Sequence, residues 1–239
     1  MDLIERLAAD PARAALLLDV DGTLAPIVPR PDEAHVPEET RAQLERLRDR
    51  YALVACVSGR TSDDARHIVG VDGLEYSGVH GLEGNPEAER WRPALVQLAA
   101  DAGWPADETE DKGVTVSFHY RRAVDEDAAR RRLERVAECA REAGLVPRFG
   151  RKVLEVRPRV DADKGTAVKT LLEGQDVEAA LYAGDDTTDL DAFRGLDEAG
   201  LELAVRVAVV SDESPPELRE QAALSVDGPE GLFELLRQL

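Results

Sequence analysis

Two groups of aspartates follow apolar runs in this sequence. Asp19 and Asp21 come at the end of the run ALLLDV, and Asp185, Asp186 and Asp189 come after the run AALYAG. Like charges at the end of a buried strand repel one another and lose hydration, so each group needs a compensating partner. Mg²⁺ prefers oxygen ligands and binds through one or two carboxylates plus a phosphate. The two groups together therefore predict a magnesium site that receives a phosphate group.

The segment DVDGT (19–23) carries two carboxylates that a strand period of two aims to the same side. Beside a metal ion, one carboxylate can attack phosphorus and form an aspartyl-phosphate. The other can protonate the leaving oxygen and then deprotonate the water that hydrolyses this intermediate. Gly22 permits the sharp turn that must follow, and Thr23 can cap that turn or bond a ligand oxygen.

Cationic and hydroxyl donors must surround a transferred phosphoryl group, because its negative charge is spread over several oxygens. Ser58, Gly59 and Arg60 follow a second apolar run, LVACV. Lys164 lies in DADKGT, near the predicted N-terminus of a helix, where backbone N–H groups favour an anion. These residues are candidate phosphate ligands, although Arg60 fits a ligand contact and a surface position equally well.

Short apolar runs alternate with amphipathic segments in residues 1–83 and again in 161–239. This alternation predicts an α/β domain with a parallel sheet, in which chemistry lies beyond the carboxyl ends of the strands. The predicted strands cover 15–20, 51–59, 74–81, 179–184, 203–210 and 223–226. The predicted helices cover 38–50, 62–69, 161–174, 188–196, 214–222 and 228–239.

Residues 84–160 interrupt this alternation and predict a separate α+β unit. Helices are expected over 85–101 and 125–144, and about three strands over 112–121, 146–150 and 152–158. The expected architecture is therefore a Rossmann-like core, formed by 1–83 and 161–239, with an inserted α+β cap.

Composition limits the partners of this 239-residue chain. The formal net charge of −19 disfavours nucleic acid and anionic membrane surfaces, whose phosphates would be repelled. Two cysteines are too few for a disulfide framework, and no run approaches the roughly 18 apolar residues of a membrane span. The N-terminus lacks the apolar stretch of a signal peptide. We expect a cytoplasmic monomer that acts on a small molecule.

The segment DVDGT, Ser58, Lys164 and the segment GDDTTD, in this order, closely resemble the four motifs of the haloacid dehalogenase superfamily of phosphotransferases. The resemblance implies that Asp19 is the nucleophile and Asp21 the general acid and base. It also implies a Mg²⁺ cofactor bound by the Asp19 carboxylate, the Asp21 backbone carbonyl and Asp185.

The roles of the remaining acidic residues of GDDTTD stay open. The resemblance implies that Asp186 or Asp189 lies one layer further from the ion. One of the three aspartates is expected to cap a helix instead of binding metal.

The insert resembles a C2-type cap, and its segments GVHGLEG, VSFHYRR and KVLEVRP resemble the trehalose-6-phosphate phosphatase subfamily. The resemblance implies that Lys152 and Glu155 hold hydroxyls of the sugar distal to the phosphate. His119, Arg121 and the loop at His80-Gly81 are further candidates for substrate binding. A period of two places His119 opposite Phe118 and Tyr120, which leaves a core position and a substrate-facing position equally open.

The resemblance implies a Mg²⁺-dependent phosphatase that converts trehalose 6-phosphate and water into trehalose and phosphate. Two alternatives stay open. The first is the same chemistry on another glycosyl phosphate, such as sucrose 6-phosphate or a glycosyl-3-phosphoglycerate. The second is a non-catalytic sugar-phosphate sensor, which the intact aspartates and lysine disfavour.

Overall fold

The computed structural model describes residues 2–28, 30, 33–150, 152–212 and 214–239. Its strands are β1 (Ala14–Leu18), β2 (Leu53–Val57), β3 (Glu75–Ser77), β4 (Thr109–Asp111), β5 (Val116–His119), β6 (Val146–Gly150), β7 (Val153–Arg157), β8 (Ala179–Gly184), β9 (Leu203–Val210) and β10 (Leu224–Asp227). Its α-helices are α1 (Leu3–Leu7), α2 (Glu38–Arg48), α3 (Ser62–Val69), α4 (Pro86–Glu89), α5 (Arg92–Ala102), α6 (Glu126–Glu142), α7 (Lys164–Leu172), α8 (Asp189–Asp197), α9 (Pro216–Gln221) and α10 (Gly228–Leu236).

The chain forms two units, Met1–Gly81 with Ala162–Leu239, called here the core unit, and Leu82–Asp161, called here the inserted unit. The core unit contains a six-stranded sheet in the order β10-β9-β8-β1-β2-β3, and every strand pair in it is parallel. The predicted α/β class with a parallel sheet is confirmed.

Helices cover both faces of this sheet because its central strands are apolar on both sides. In β1, Leu16 and Leu18 face a cluster that includes side chains of α1, α2, α3 and α10. Ala15 and Leu17 face the opposite cluster, which includes side chains of α7, α8 and α9. The register pairs Leu18 of β1 with Ala183 of β8, so the ends of these two strands lie side by side.

Local capping explains where several core helices begin. The Thr61 side chain accepts a hydrogen bond from the Asp64 N–H at the start of α3. Asp163 and Thr166 form a reciprocal capping box at the start of α7, the helix that opens with Lys164. Helix α1, which the sequence analysis did not predict, begins with a second capping box between Asp2 and Glu5.

The inserted unit contains an antiparallel sheet in the order β4-β5-β7-β6. Alternate residues of β5 and β7 pack against α5 and α6 around the buried Phe118 and Leu154. This sheet has four strands where about three were predicted, because Thr109–Asp111 adds an edge strand to β5. The single helix predicted over 85–101 is two helices, because a proline in the first turn of α5 starts a new helix there.

None of the helices in the described ranges is both long and apolar enough to cross a membrane.

Candidate active site

Asp19 occupies the junction of the two central strands of the core unit. Its backbone N–H donates to the Ala183 carbonyl oxygen at 2.9 Å, which extends the pairing of β1 and β8 by one residue. This pairing brings Asp19 beside the acidic segment after β8. The Asp19 side chain is 6% exposed, and its Oδ1 accepts a hydrogen bond from Lys164 Nζ at 2.9 Å.

Lys164 connects the two acidic groups. Its buried Nζ also donates to Asp189 Oδ1 at 2.7 Å and lies 3.9 Å from Asp186 Oδ1. Burial opposes the charge on this ammonium, but Asp19, Asp189 and Asp186 outweigh that cost and raise the pKa of Lys164. The lysine therefore stays protonated and holds one oxygen of Asp19 in place.

Asp189 is fully buried and accepts hydrogen bonds at both of its oxygens. Oδ1 accepts from Lys164 Nζ and from the Tyr182 hydroxyl, each at 2.7 Å. Oδ2 accepts from the backbone N–H groups of Asp185 and Asp186, each at 2.9 Å. A carboxylate offers about four acceptor positions, so these four donors fill them.

The Asp186 side chain organises the turn before α8. Its Oδ1 accepts from the Thr188 N–H at 2.8 Å and from the Thr188 hydroxyl at 2.6 Å. These bonds and the nearby lysine outweigh burial and lower the pKa of Asp186. Asp186 therefore stabilises the turn but is not the helix cap, because the N-cap of α8 is Thr188 and no side chain makes a capping hydrogen bond there.

Burial raises the pKa values of three carboxyl groups in the site, Asp19, Asp185 and Asp189, the last despite its four hydrogen bonds. Burial, together with neighbouring carboxylates, raises the pKa of Asp19 well above its usual range and that of Asp185 to about 6. Asp19, Asp185 and Asp189 each offer an oxygen, and these oxygens lie within 4.8 Å of one another. Clustered carboxylate oxygens with raised pKa values fit a hard divalent cation, because a cation would favour their charged forms.

The turn after Asp21 shapes one wall of this cluster. Gly22 has a φ of +81°, and a Cβ atom at this position would collide with the Asp185 carboxylate. The Thr23 hydroxyl donates to Asp185 Oδ1 at 3.2 Å. Glycine is therefore required at position 22 both for its backbone conformation and for the close approach of Asp185.

Asp21 forms a two-bond ion pair with Arg60. Arg60 Nε donates to Asp21 Oδ2 at 2.7 Å, and a second guanidinium nitrogen donates to Oδ1 at 2.7 Å. The Arg60 N–H donates to the hydroxyl of the buried Ser58 at 3.1 Å. The structure therefore places Arg60 inside the site, against Asp21.

The turn Val79–Gly81 packs against Gly59, which follows β2, and against the start of α7. Val79, His80 and Gly81 all have positive φ angles, of 49°, 52° and 82°. A Cβ on Gly59 would lie 2.6 Å from His80 Nε2, and a Cβ on Gly81 would lie 2.9 Å from the Asp163 carbonyl oxygen. Both glycines therefore permit close packing between the end of β2, this turn and the start of α7.

Sequence comparison identifies the family. The family model for trehalose-phosphatase matches residues 17–102 and 102–230, which covers most of the chain. The chain belongs to the trehalose-phosphatase family.

Curated relatives agree with this family membership. The chain is 32% identical to trehalose 6-phosphate phosphatase RA3 of Zea mays, over 97% of this chain and 71% of that protein. It is 32% identical to probable trehalose-phosphate phosphatase 4 of Oryza sativa subsp. japonica, over 95% of this chain and 66% of that protein. The corresponding values for the trehalose-phosphate phosphatase of Mycobacterium avium are 37%, 80% and 54%. The chain thus spans about half to two thirds of the length of most of these relatives.

Solved structures show the fold of this trehalose-phosphatase family member. A trehalose-6-phosphate phosphatase related protein has a TM-score of 0.72 at 24% identity, over 93% of this chain and 95% of that chain. A haloacid dehalogenase-like hydrolase from Bacteroides thetaiotaomicron has a TM-score of 0.62 at 16% identity, over 94% and 98%. The fold predicted from the motifs, that of the haloacid dehalogenase superfamily, is confirmed.

The sequence analysis missed Tyr182, whose hydroxyl binds Asp189. The available signal was a tyrosine inside the otherwise aliphatic strand β8, three residues before Asp185. A buried tyrosine usually finds a hydrogen-bond partner, so the nearby acidic group was the natural candidate.

The inserted unit contains the other residues that the sequence analysis predicted to bind substrate. Lys152 has a φ of +61°, and its Nζ donates to Glu126 Oε1 at 2.6 Å. Glu155 lies in β7, in register with Ser117 of β5 and Arg148 of β6. These neighbours form a polar row on the sheet face opposite the buried Phe118 and Leu154.

His119 and Arg121 also lie in the inserted unit. His119 is exposed while Phe118 and Tyr120 are buried, so the predicted alternation is confirmed and the core position is excluded. His119 Nε2 lies 3.2 Å from Glu110 Oε2. Arg121 is exposed just beyond the end of β5.

Proposed function

We propose that this chain hydrolyses trehalose 6-phosphate to trehalose and phosphate. The observation that carries the proposal is the buried Lys164, which bonds both Asp19 and Asp189 at the junction of β1 and β8. Family membership and relatives named as trehalose-phosphate phosphatases support the choice of substrate.

Asp19 is the proposed nucleophile. Lys164 holds Oδ1 of this carboxylate, which leaves Oδ2 to form a bond to phosphorus while the bond to the sugar oxygen breaks. Lys164 and the Ser58 hydroxyl are the proposed donors for the phosphoryl oxygens. Water then cleaves the aspartyl-phosphate and returns Asp19 to its starting state.

Asp21 is the proposed general acid and base. It would donate a proton to the leaving sugar oxygen and later accept one from the attacking water. Arg60 donates a hydrogen bond to each Asp21 oxygen, so at least one of these bonds must break when Asp21 carries the proton. Arg60 is therefore proposed to control the position of Asp21.

Mg²⁺ is the proposed cofactor, with Asp19, Asp185 and the Asp21 backbone carbonyl as its protein ligands. When bound, it would neutralise the carboxylates and polarise the phosphoryl group. Asp189 is proposed to organise Lys164 and the 185–186 backbone, because its acceptor positions are already filled.

The inserted unit is the proposed cap, corresponding to residues 84–160 of the sequence prediction. Fixed charged and amide groups suit the recognition of sugar hydroxyls. Lys152 and Glu155 are the proposed contacts to the distal sugar, and His119, Arg121 and the His80-Gly81 turn are further candidates. The cytoplasmic location and the monomeric state stay predictions from the sequence.

A panel assay for released phosphate tests the proposal. We expect the highest kcat/KM with trehalose 6-phosphate, in comparison with sucrose 6-phosphate and glycosyl-3-phosphoglycerates. Asp19→Asn should lower kcat more than about 10³-fold and leave substrate binding within a few-fold, because it removes the nucleophile and keeps the side-chain shape.

Three results would contradict parts of this assignment. A preference for another glycosyl phosphate would overturn the substrate, and unchanged turnover by Asp19→Asn would overturn the nucleophile. Binding of trehalose 6-phosphate without any phosphate release would indicate a sensor. Calorimetric titration of the substrate analogue trehalose 6-sulfate supplies the binding measurement.

A further inference from the structure

A buried phenol lies behind the carboxylate that holds the lysine. Tyr182 is fully buried in β8, and its hydroxyl donates to Asp189 Oδ1 at 2.7 Å. The same oxygen accepts from Lys164 Nζ at 2.7 Å, and Lys164 donates to Asp19 Oδ1 at 2.9 Å. The tyrosine hydroxyl is therefore the far end of a continuous hydrogen-bond path that reaches Asp19.

The hydroxyl completes the bonding of Asp189. This carboxylate has two donors on each oxygen, with the backbone N–H groups of Asp185 and Asp186 on Oδ2. Loss of the phenolic donor would leave a buried acceptor position unfilled and allow the carboxylate to rotate. Rotation would move Oδ1 away from Lys164 and Oδ2 away from the two backbone groups together.

The tyrosine ring is itself held firmly. Helix α8 supplies both Asp189, which binds the hydroxyl, and Phe193, which meets the ring edge-on at 6.1 Å and 85°. Strand β8 lies between β1 and β9 in the interior of the sheet. The ring is therefore fixed by one helix at two points, while its backbone is fixed by the strand that ends at the acidic segment.

We infer that Tyr182 is a positioning residue whose hydroxyl locks Asp189, so that Lys164 holds Asp19 in the reactive orientation and the 185–186 backbone presents Asp185 to a metal ion. The catalytic part of this inference rests on the proposed phosphatase function. The structural part rests only on the hydrogen bonds of the core unit.

The test removes one hydroxyl at a time. Tyr182→Phe should lower kcat 10- to 100-fold with little change in KM, and should weaken Mg²⁺ binding, measured by calorimetry with the metal alone, by a similar factor. Tyr51→Phe is the matched control, because the Tyr51 hydroxyl is buried and has no hydrogen-bond partner among the described residues. It should keep both values.

A second control separates positioning from packing. Phe193→Leu removes the edge-on ring but keeps the Tyr182 hydroxyl. It should therefore lower the Tm and leave the Mg²⁺ affinity close to that of the wild type. A Tyr182→Phe enzyme with wild-type kcat and wild-type Mg²⁺ affinity would overturn the inference, whatever its Tm.

A measurement on the unaltered protein covers the case in which Tyr182→Phe does not fold. The Tyr182 hydroxyl proton should exchange slowly with solvent and give a downfield NMR resonance that shifts when Mg²⁺ is added. The inference would be overturned if the chemical shift of this proton did not change at saturating Mg²⁺, or if the proton exchanged rapidly with solvent. If the wild-type chain hydrolyses no sugar phosphate, the proposed function fails, but the calorimetric and NMR results still decide the role of Tyr182.

Discussion

Four carboxylates and one ammonium lie together at the carboxyl end of the core sheet, and their hydrogen bonds divide the carboxylates into two kinds. Asp186 and Asp189 are satisfied by donors of the protein. Burial raises the pKa values of Asp19, Asp185 and Asp189 alike, so Asp189 differs from the other two in its filled acceptor positions and not in the direction of its pKa shift. The proposed division between Asp189 and the proposed metal ligands Asp19 and Asp185 therefore rests on hydrogen bonding.

Asp185→Asn should make the metal-free protein more stable at pH 7.5. The pKa of Asp185 is about 6 in the folded protein against an ordinary 3.8, so the folded state binds the proton more tightly than the unfolded chain. Stability therefore falls as the pH rises from about 4 to 6, and the full cost is present above pH 6. The substitution should recover about 1–2 kcal/mol, since partial solvent exposure reduces the effect.

Urea unfolding in the presence of a chelator measures this difference. The gain from Asp185→Asn should shrink as the pH is lowered towards 4, and excess Mg²⁺ at pH 7.5 should reverse the order by stabilising only the wild type. Equal unfolding free energies for the two chains at pH 7.5 without metal would contradict the assigned pKa shift.

At the scale of elements, the contact between α7 and α8 determines where Lys164 lies. Gly165 and Gly195 face each other so closely that a Cβ on Gly195 would collide with the Gly165 carbonyl oxygen, and a Cβ on Gly165 with the Asp191 carbonyl oxygen. Helix α7 opens with Lys164, and α8 opens with Asp189, its partner. The two glycines therefore set the distance between the elements that carry the ion pair.

Gly195→Ala should push α8 away from α7. We expect a loss of about 1–3 kcal/mol in unfolding free energy from overpacking, together with a reduced kcat, because Asp189 and Lys164 begin the two displaced helices. Chemical denaturation and steady-state kinetics on the same samples measure both effects.

Gly231→Ala is the control for this change. It is also a glycine in an α-helix, α10, but the nearest atom to its added Cβ would be Val226 Cβ at 3.2 Å. Its stability should stay within about 1 kcal/mol of wild type, with unchanged kcat. A Gly195→Ala protein that matches Gly231→Ala in both measurements would show that the helix contact is not tight.

At the scale of the whole molecule, the net charge of −19 causes repulsion between the charged groups of the folded chain. Self-repulsion of this size destabilises the compact state. Salt weakens the repulsion, because the Debye length falls to about 10 Å at 0.1 M. A cation at the acidic cluster lowers the same charge locally.

Raising NaCl from about 10 mM to about 0.2 M should therefore raise the Tm of the metal-free protein by a few degrees. Differential scanning calorimetry at constant pH measures the shift, and choline chloride at the same ionic strength should give the same result if screening is the cause. A Tm that falls or stays constant in both salts would contradict the electrostatic explanation.

The sequence by itself determined the parallel-sheet fold and the residues that meet at its edge. Apolar runs such as ALLL and LVACV are buried on both sides, and the polar residues that follow them have no place except beyond the strand ends. Because parallel strands end at one edge, Asp19, Ser58 and Asp185 were predicted to lie near one another without knowledge of any distance.

Only the tertiary structure decided how those residues are bonded. The bonds from Arg60 to Asp21 and from Lys164 to Asp19 and Asp189 join residues that are 25 or more positions apart in the chain. Local propensity and periodicity carry no information on such pairings, since they are set by the packing of β8, α7 and α8 on one another. The sequence supplies the charged groups, and the fold determines which of them pair with one another.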